Sequence, residues 1–140
     1  MSDSPNVFFD TTILIYAVSD SGPRTVTAES LLAAGGHISV QVLNEFAAVA
    51  RRKLNMPWDE LTEALTAIRA LCEPPTPLTV EVHESAIKMA ALYRYHIYDS
   101  LILAAALQAE CNTLFSEDMQ DGKKIGRLTI RNPFAKKLRA

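Results

Sequence analysis

The stretch FFDTTILIYA at residues 8–17 constrains the fold more than any other, because it sets a carboxylate inside a core segment. Asp10 directly follows Val7, Phe8 and Phe9 and lies just before Ile13, Leu14 and Ile15. An unpaired charge buried among such side chains costs several kcal/mol, or the group stays protonated. Something in the folded chain must compensate Asp10.

The pattern around it alternates short apolar runs with helical periodicity. VFFD (7–10), HISV (37–40) and PLTV (77–80) are strand candidates, and CNTLFS (111–116) and RLTIRN (127–132) supply two more around the polar loop EDMQDGKKIG. Pro23 opens a helix that Gly35 and Gly36 stop. In QVLNEFAAVARRKLN, Val42, Phe46, Val49 and Ala50 share one helical face. After the Met56-Pro57 break, Trp58, Leu61, Leu65, Ile68 and Leu71 form a stripe at i, i+3, i+4 spacing. Residues 81–95 read as an amphipathic helix, whereas 99–110 is apolar nearly all round and so belongs to the interior. Strands alternating with helices predict a parallel α/β sheet covered on both faces.

At 140 residues the chain is expected to form a single domain over 1–140, large enough for a core without staples. Cys72 and Cys111 lie far apart with no CxxC spacing, so neither a disulfide framework nor a zinc ribbon is implied. The opening MSDSPN has neither a basic nor an apolar region of the kind a signal peptide needs. No apolar run approaches the roughly 18 residues of a membrane span. A cytoplasmic protein without membrane attachment is the expectation. The net charge of −2 hides an asymmetry. Up to Gly122 there are seven Lys and Arg against all sixteen acids, whereas Lys123, Lys124, Arg127, Arg131, Lys136, Lys137 and Arg139 follow with no acid. That tail is either a solvated terminus or a strip that contacts phosphates.

Ligands of open parallel sheets bind beyond the carboxyl ends of the strands. Four acids fall there. Asp10 closes the first strand, Asp118 follows strand 111–116 by two residues, and Asp99 begins the buried helix, where it can cap free N–H groups. Glu45 lies in the first turns of the helix after the second strand, at the margin of its apolar stripe. Each alone has a structural explanation as a cap, a loop acid or a solvated helix residue. Together they repel, and the arrangement calls for a cation. Oxygen-only ligands select a hard ion, Mg²⁺ or Mn²⁺, rather than zinc. Of the three histidines only His96, three residues before Asp99, lies near this group. Carboxylates holding such ions can acidify a water and neutralise a leaving oxygen, the two-metal route to cutting phosphodiesters.

FFDTTILIYA with Asp10, VLNEF with Glu45, YDSLILAAA with Asp99 and LFSEDMQDG with Asp118, in this order and at these separations, resemble a PIN domain, and especially the short VapC-like toxins of toxin–antitoxin pairs. The resemblance covers nearly the whole chain. It implies a three-layer α/β fold with a five-stranded, mainly parallel sheet flanked by helices, and a metal-dependent ribonuclease that is usually a homodimer inhibited by a cognate antitoxin. It implies that Asp10, Glu45, Asp99 and Asp118 coordinate Mg²⁺ or Mn²⁺, with Asp121 as the reserve for Asp118. Thr11 and Ser116 match supporting hydroxyl positions. Thr12 stands where many relatives carry Asn or another small polar residue.

On this reading Arg51, Arg52 and Lys53, past Glu45 on the same helix, and Lys123 and Lys124 steer an RNA backbone. The alternative for the 51–53 cluster is a solvated helix end favoured by the macrodipole. A competing function is a catalytically silent protein-binding module, for which the Trp58–Leu71 stripe would be the docking face. An aspartyl-phosphate enzyme with Asp10 as nucleophile would resemble DxDxT, but Thr12 stands where the second acid belongs.

Overall fold

The computed structural model describes residues 6–135, so the tail cations Lys136, Lys137 and Arg139 lie outside the described residues. Strand β1 (Val7–Phe9) is short and apolar, with Phe8 and Phe9 fully buried. Burial on both faces is the signature of a strand inside a parallel sheet. Its partner is β2 (Thr113–Phe115), in parallel register with Phe8 opposite Leu114. On the other side of β2 runs β4 (Leu128–Arg131), again parallel, with Leu114 opposite Ile130. The two-residue strand β3 (Lys124–Ile125) returns antiparallel along β4, and the order is β1-β2-β4-β3. Gly126, at φ +60°, makes the turn of this hairpin.

The sheet departs from the five strands expected. HISV and PLTV do not form strands. HISV contributes single parallel bridges, Phe8 to His37 and Ser39 to Thr76, the latter reaching the residue just before PLTV, and these taper the sheet beyond β1. The cause is local. Ser39 ends the extended segment by accepting the Val42 N–H on its side chain, and helix α3 (Val40–Lys53) starts at once. Thr79 does the same for α5 (Val80–Tyr93) through the Val82 N–H. The bridge beside β1 also requires Gly36. A Cβ there would lie 2.6 Å from the Phe9 ring.

Helices α1 (Thr11–Val18), α2 (Pro23–Ala33), α3, α4 (Trp58–Leu71), α5 and α6 (Ile97–Gln108) surround the sheet. Ser100 through Ala106 of α6 are all buried, as its apolar circumference requires. A small cluster of Val82, Ala86, Leu101 and Ala104 fastens α5 to it. In α4 the stripe divides: Leu61 and Ile68 enter the core, whereas Trp58 is 65% exposed and Leu71 is 48% exposed. The free thiols of Cys72 and Cys111 are pushed up to about 11 by burial, which leaves both as protonated packing groups. Among the described residues no helix is long and apolar enough to cross a membrane.

Candidate metal centre

Because β1 and β2 are parallel, the residues that follow them emerge on the same edge. Asp10 follows β1, and Ser116 and Asp118 follow β2. Asp10 is also the N-cap of α1, its Oδ1 accepting the Thr11 N–H at 2.7 Å. Its Oδ2 accepts the Ser116 hydroxyl at 2.6 Å. Both oxygens are thereby oriented while each keeps a further lone pair.

Asp99 is not the cap expected of it. His96 takes that position, its Nδ1 accepting the Tyr98 N–H at 3.1 Å, and Asp99 falls in the first turn of α6. The acid keeps the favourable helix end without spending its oxygens on the backbone. Glu45 rises from α3 at the edge of the buried face, where its Oε2 accepts from the Gln41 amide at 2.9 Å. The four acids form a gradient: Asp10 is buried, Glu45 and Asp99 are partly buried, and Asp118 is exposed.

Their electrostatics link them. The Asp10 carboxyl is pushed up to about 7, first by burial and further by the charges of Asp99 and Asp118, against the pull of its two hydrogen bonds. Burial also raises Glu45, with Asp99 and Asp118 adding to it. Asp99 is raised by desolvation and by Asp118, and Asp118 by desolvation and by Glu117. The nearby positive charges are few: His96 opposes the rise at Glu45 and Asp99, and Lys53 at Asp118. Mutually repelling carboxylates of this kind have an unmet demand for positive charge. As the side chains stand, no three His, Cys, Asp or Glu groups among the described residues converge closely enough to enclose an ion. The donor set nevertheless fits a hard cation. It is all oxygen, and the hydroxyls of Thr11 and Ser100, each adjacent in sequence to one of the acids, are buried without a hydrogen-bond partner among the described residues.

The remaining candidates are placed differently. Asp121 accepts the Asn132 N–H at 2.9 Å, a loop contact. The Arg51 guanidinium donates to the Met56 carbonyl at 2.9 Å and lies over the Trp58 ring at 4.4 Å, so its charge serves the end of α3. Arg52 and Lys124 are exposed, and Lys123 reaches over the Tyr93 ring at 5.4 Å. Sequence reading missed Tyr16 and Arg24, which both bind Glu117, the neighbour of Asp118. No local signal marks them, since the contacts span 101 and 93 positions of sequence. Two grooves lie away from the acids. One, of 640 Å³, runs along Leu43, Leu65 and Cys72, and the other, of 440 Å³, along Val18, Leu32 and Ile68.

The family model of the PIN domain matches residues 7–124, well over half of the chain. No curated protein matches it at a significant level. Among solved structures the chain is similar to a toxin–antitoxin complex from Klebsiella pneumoniae, at TM-score 0.70 and 20% identity over 91% of this chain and 98% of that one. It is similar to the toxin VapC20 of Mycobacterium tuberculosis, a cleaver of the sarcin–ricin loop, at TM-score 0.64 and 19% identity, covering 80% and 89% of the two chains. VapBC2 of Rickettsia felis, bound to a DNA fragment of its promoter, aligns at TM-score 0.66 and 19% identity over 90% and 97%. At these identities the structural likeness concerns the fold.

Proposed function

The chain belongs to the PIN domain family, and on that premise we propose that it is a divalent-metal-dependent endoribonuclease, the toxin of a toxin–antitoxin pair. The observation that carries this reading is the edge of the sheet where Asp10, Glu45, Asp99 and Asp118 gather: burial raises all four carboxyls, Asp99 and Asp118 raise Asp10 and Glu45 further, and few cations answer them. Solved structures similar to it include a toxin that cleaves an RNA loop and assemblies of toxin with antitoxin, which supports RNA as the substrate and an antitoxin chain as the partner.

Asp10, Glu45, Asp99 and Asp118 would hold Mg²⁺ or Mn²⁺, with Asp121, one of whose oxygens accepts the Asn132 N–H, as the reserve ligand. When bound, such an ion supplies an acidified water and neutralises charge on the leaving oxygen of a phosphodiester. The chain supplies the geometry. Ser116 and the Thr11 N–H fix the Asp10 carboxylate, so that its orientation is set before any ligand arrives. Gln41 holds Glu45 in the same way. Thr11 and Ser116 are thus the supporting residues, one through its backbone and one through its hydroxyl. Arg52, Lys53, Lys123 and Lys124 offer positive charge at the rim, where an RNA backbone approaches. The protein acts in the cytoplasm as a homodimer, a state that sedimentation can read.

The test is cleavage of mixed cellular RNA by wild type and Asp10→Asn, with Mn²⁺ or Mg²⁺ and with EDTA. Cutting that needs the metal and disappears in the variant is the expected result. A folded wild type that neither cuts RNA nor binds Mn²⁺ would leave a protein-binding module in its place.

A further inference from the structure

Residues 116–121 (SEDMQD) offer three acids within five positions, and the structure treats each differently. Asp121 is bound to the Asn132 N–H. Glu117 accepts the Tyr16 hydroxyl from α1 on one oxygen and the Arg24 Nε from the start of α2, at 2.9 Å, on the other. Asp118, the residue next to it, takes no such bond among the described residues and shares its field with Asp10 and Asp99. We infer that Glu117, anchored by Tyr16 and Arg24, is a positioning residue that turns Asp118 toward Asp10 and Asp99. The inference rests on the metal-centre reading above and adds a selection step to it: which loop acid is presented.

The anchorage is built from several directions. Ser116 is fixed to Asp10, and its hydroxyl oxygen accepts the N–H of buried Met119 at 3.3 Å, which pins both ends of the short segment carrying Glu117 and Asp118. The Arg24 guanidinium lies 5.6 Å from the Tyr16 ring centre and 5.8 Å from that of Phe134, and those two rings meet edge to face at 5.0 Å. Rings on two sides limit where the guanidinium can go. The turn that delivers Arg24 is itself tied. Thr25 Oγ1 lies 2.8 Å from the Tyr16 carbonyl and accepts the Ser21 N–H at 2.9 Å. Once bound to a phenol and a guanidinium, Glu117 is withdrawn from competition for a cation. Its neighbour is the acid left over.

The experiment titrates Mn²⁺ into the full chain, followed by electron paramagnetic resonance, for wild type, Tyr16→Phe, Glu117→Ala and Glu117→Gln, with near-ultraviolet circular dichroism to report folding. Residues that orient metal ligands are worth about 10- to 100-fold in affinity, so Glu117→Ala is expected to weaken Mn²⁺ binding at least about tenfold. Glu117→Gln keeps an acceptor for the Tyr16 hydroxyl but not a second one for Arg24, and Tyr16→Phe, which changes no charge at neutral pH, keeps the Arg24 bond alone, so both fall between wild type and Glu117→Ala. Unchanged affinity in Glu117→Ala, beside a wild type that binds, overturns the positioning role and leaves the metal centre standing. Equal losses in Glu117→Ala and Glu117→Gln overturn it too, since charge alone would then explain them. If Glu117→Ala does not fold, Tyr16→Phe decides by the same criterion. A wild type that binds no Mn²⁺ overturns both readings.

Discussion

Asp10 is half protonated near neutrality when no cation is present, because its surroundings push the carboxyl up to about 7 from an ordinary value of 3.8. The unfolded chain gives up that proton at much lower pH. The stability that neutral Asp10 contributes is therefore complete below about 3.8 and lost as pH rises through about 7. At pH 8 the buried, ionised group is a burden of up to about 4 kcal/mol. Asp10→Asn should raise the melting temperature of the metal-free protein at pH 8, in a thermal melt, and abolish Mn²⁺ binding. A variant less stable than wild type under those conditions would show that the carboxylate is already compensated within the chain. Gly36→Ala is the opposite case, a small residue with a large effect. Its Cβ would meet the Phe9 ring at 2.6 Å, and forcing such an overlap costs about 1–3 kcal/mol. A denaturant midpoint equal to wild type would mean that Phe9 has room to withdraw. At this scale the sequence announced Asp10 plainly, since a carboxylate among Phe8, Phe9 and Ile13 needs a reason. It ranked Asp118 ahead of Asp121 only through the family resemblance, because the groups that occupy Glu117 and Asp121, Tyr16 with Arg24 and the Asn132 N–H, arrive from elsewhere in the chain.

Caps decide where the elements begin, and through them where the acids sit. Ser39 starts α3 and Glu45 rides on it, so Ser39→Ala should lower stability by about 1 kcal/mol and weaken Mn²⁺ binding in the same preparation. An unaffected Mn²⁺ affinity would uncouple the cap from the site. The end of α3 is held by Arg51 through Met56 and Trp58. Arg51→Ala is expected to lower stability by about 1 kcal/mol while leaving the salt dependence of RNA binding as it was. A shallower salt slope would return Arg51 to the RNA backbone. The helices were legible because their periodicity is strong, and α6 above all because its buried circumference is apolar. The strands were less so. HISV and PLTV have strand composition, yet Ser39 and Thr79 turn each into a helix within a residue or two. β4 lies within the RLTIRN expected as a strand, but its antiparallel partner β3 was hidden inside EDMQDGKKIG, whose polar residues read as loop although Gly126 supplies the turn.

For the molecule as a whole, all four acids of the edge are displaced upward together, which makes the metal-free fold sensitive to pH. Its melting temperature should fall between pH 5 and pH 8, and saturating Mn²⁺ should flatten that fall by stabilising the ionised state. Parallel curves with and without Mn²⁺ would place the ion elsewhere. The alternating α/β order and the shared edge were readable from the sequence. The side on which Lys53 faces Asp118 was not, because the path of α3 past the edge depends on packing.

The strand order has a consequence in time. β1 leaves the ribosome well before its sheet partner β2, which begins at Thr113, and β4 must follow before β2 is flanked on both sides. Positions 10, 45, 99 and 118 therefore share an edge only when most of the chain has been made. A nascent chain built this way cannot bring the four acids together until nearly all of the residues between β1 and β4 have been made.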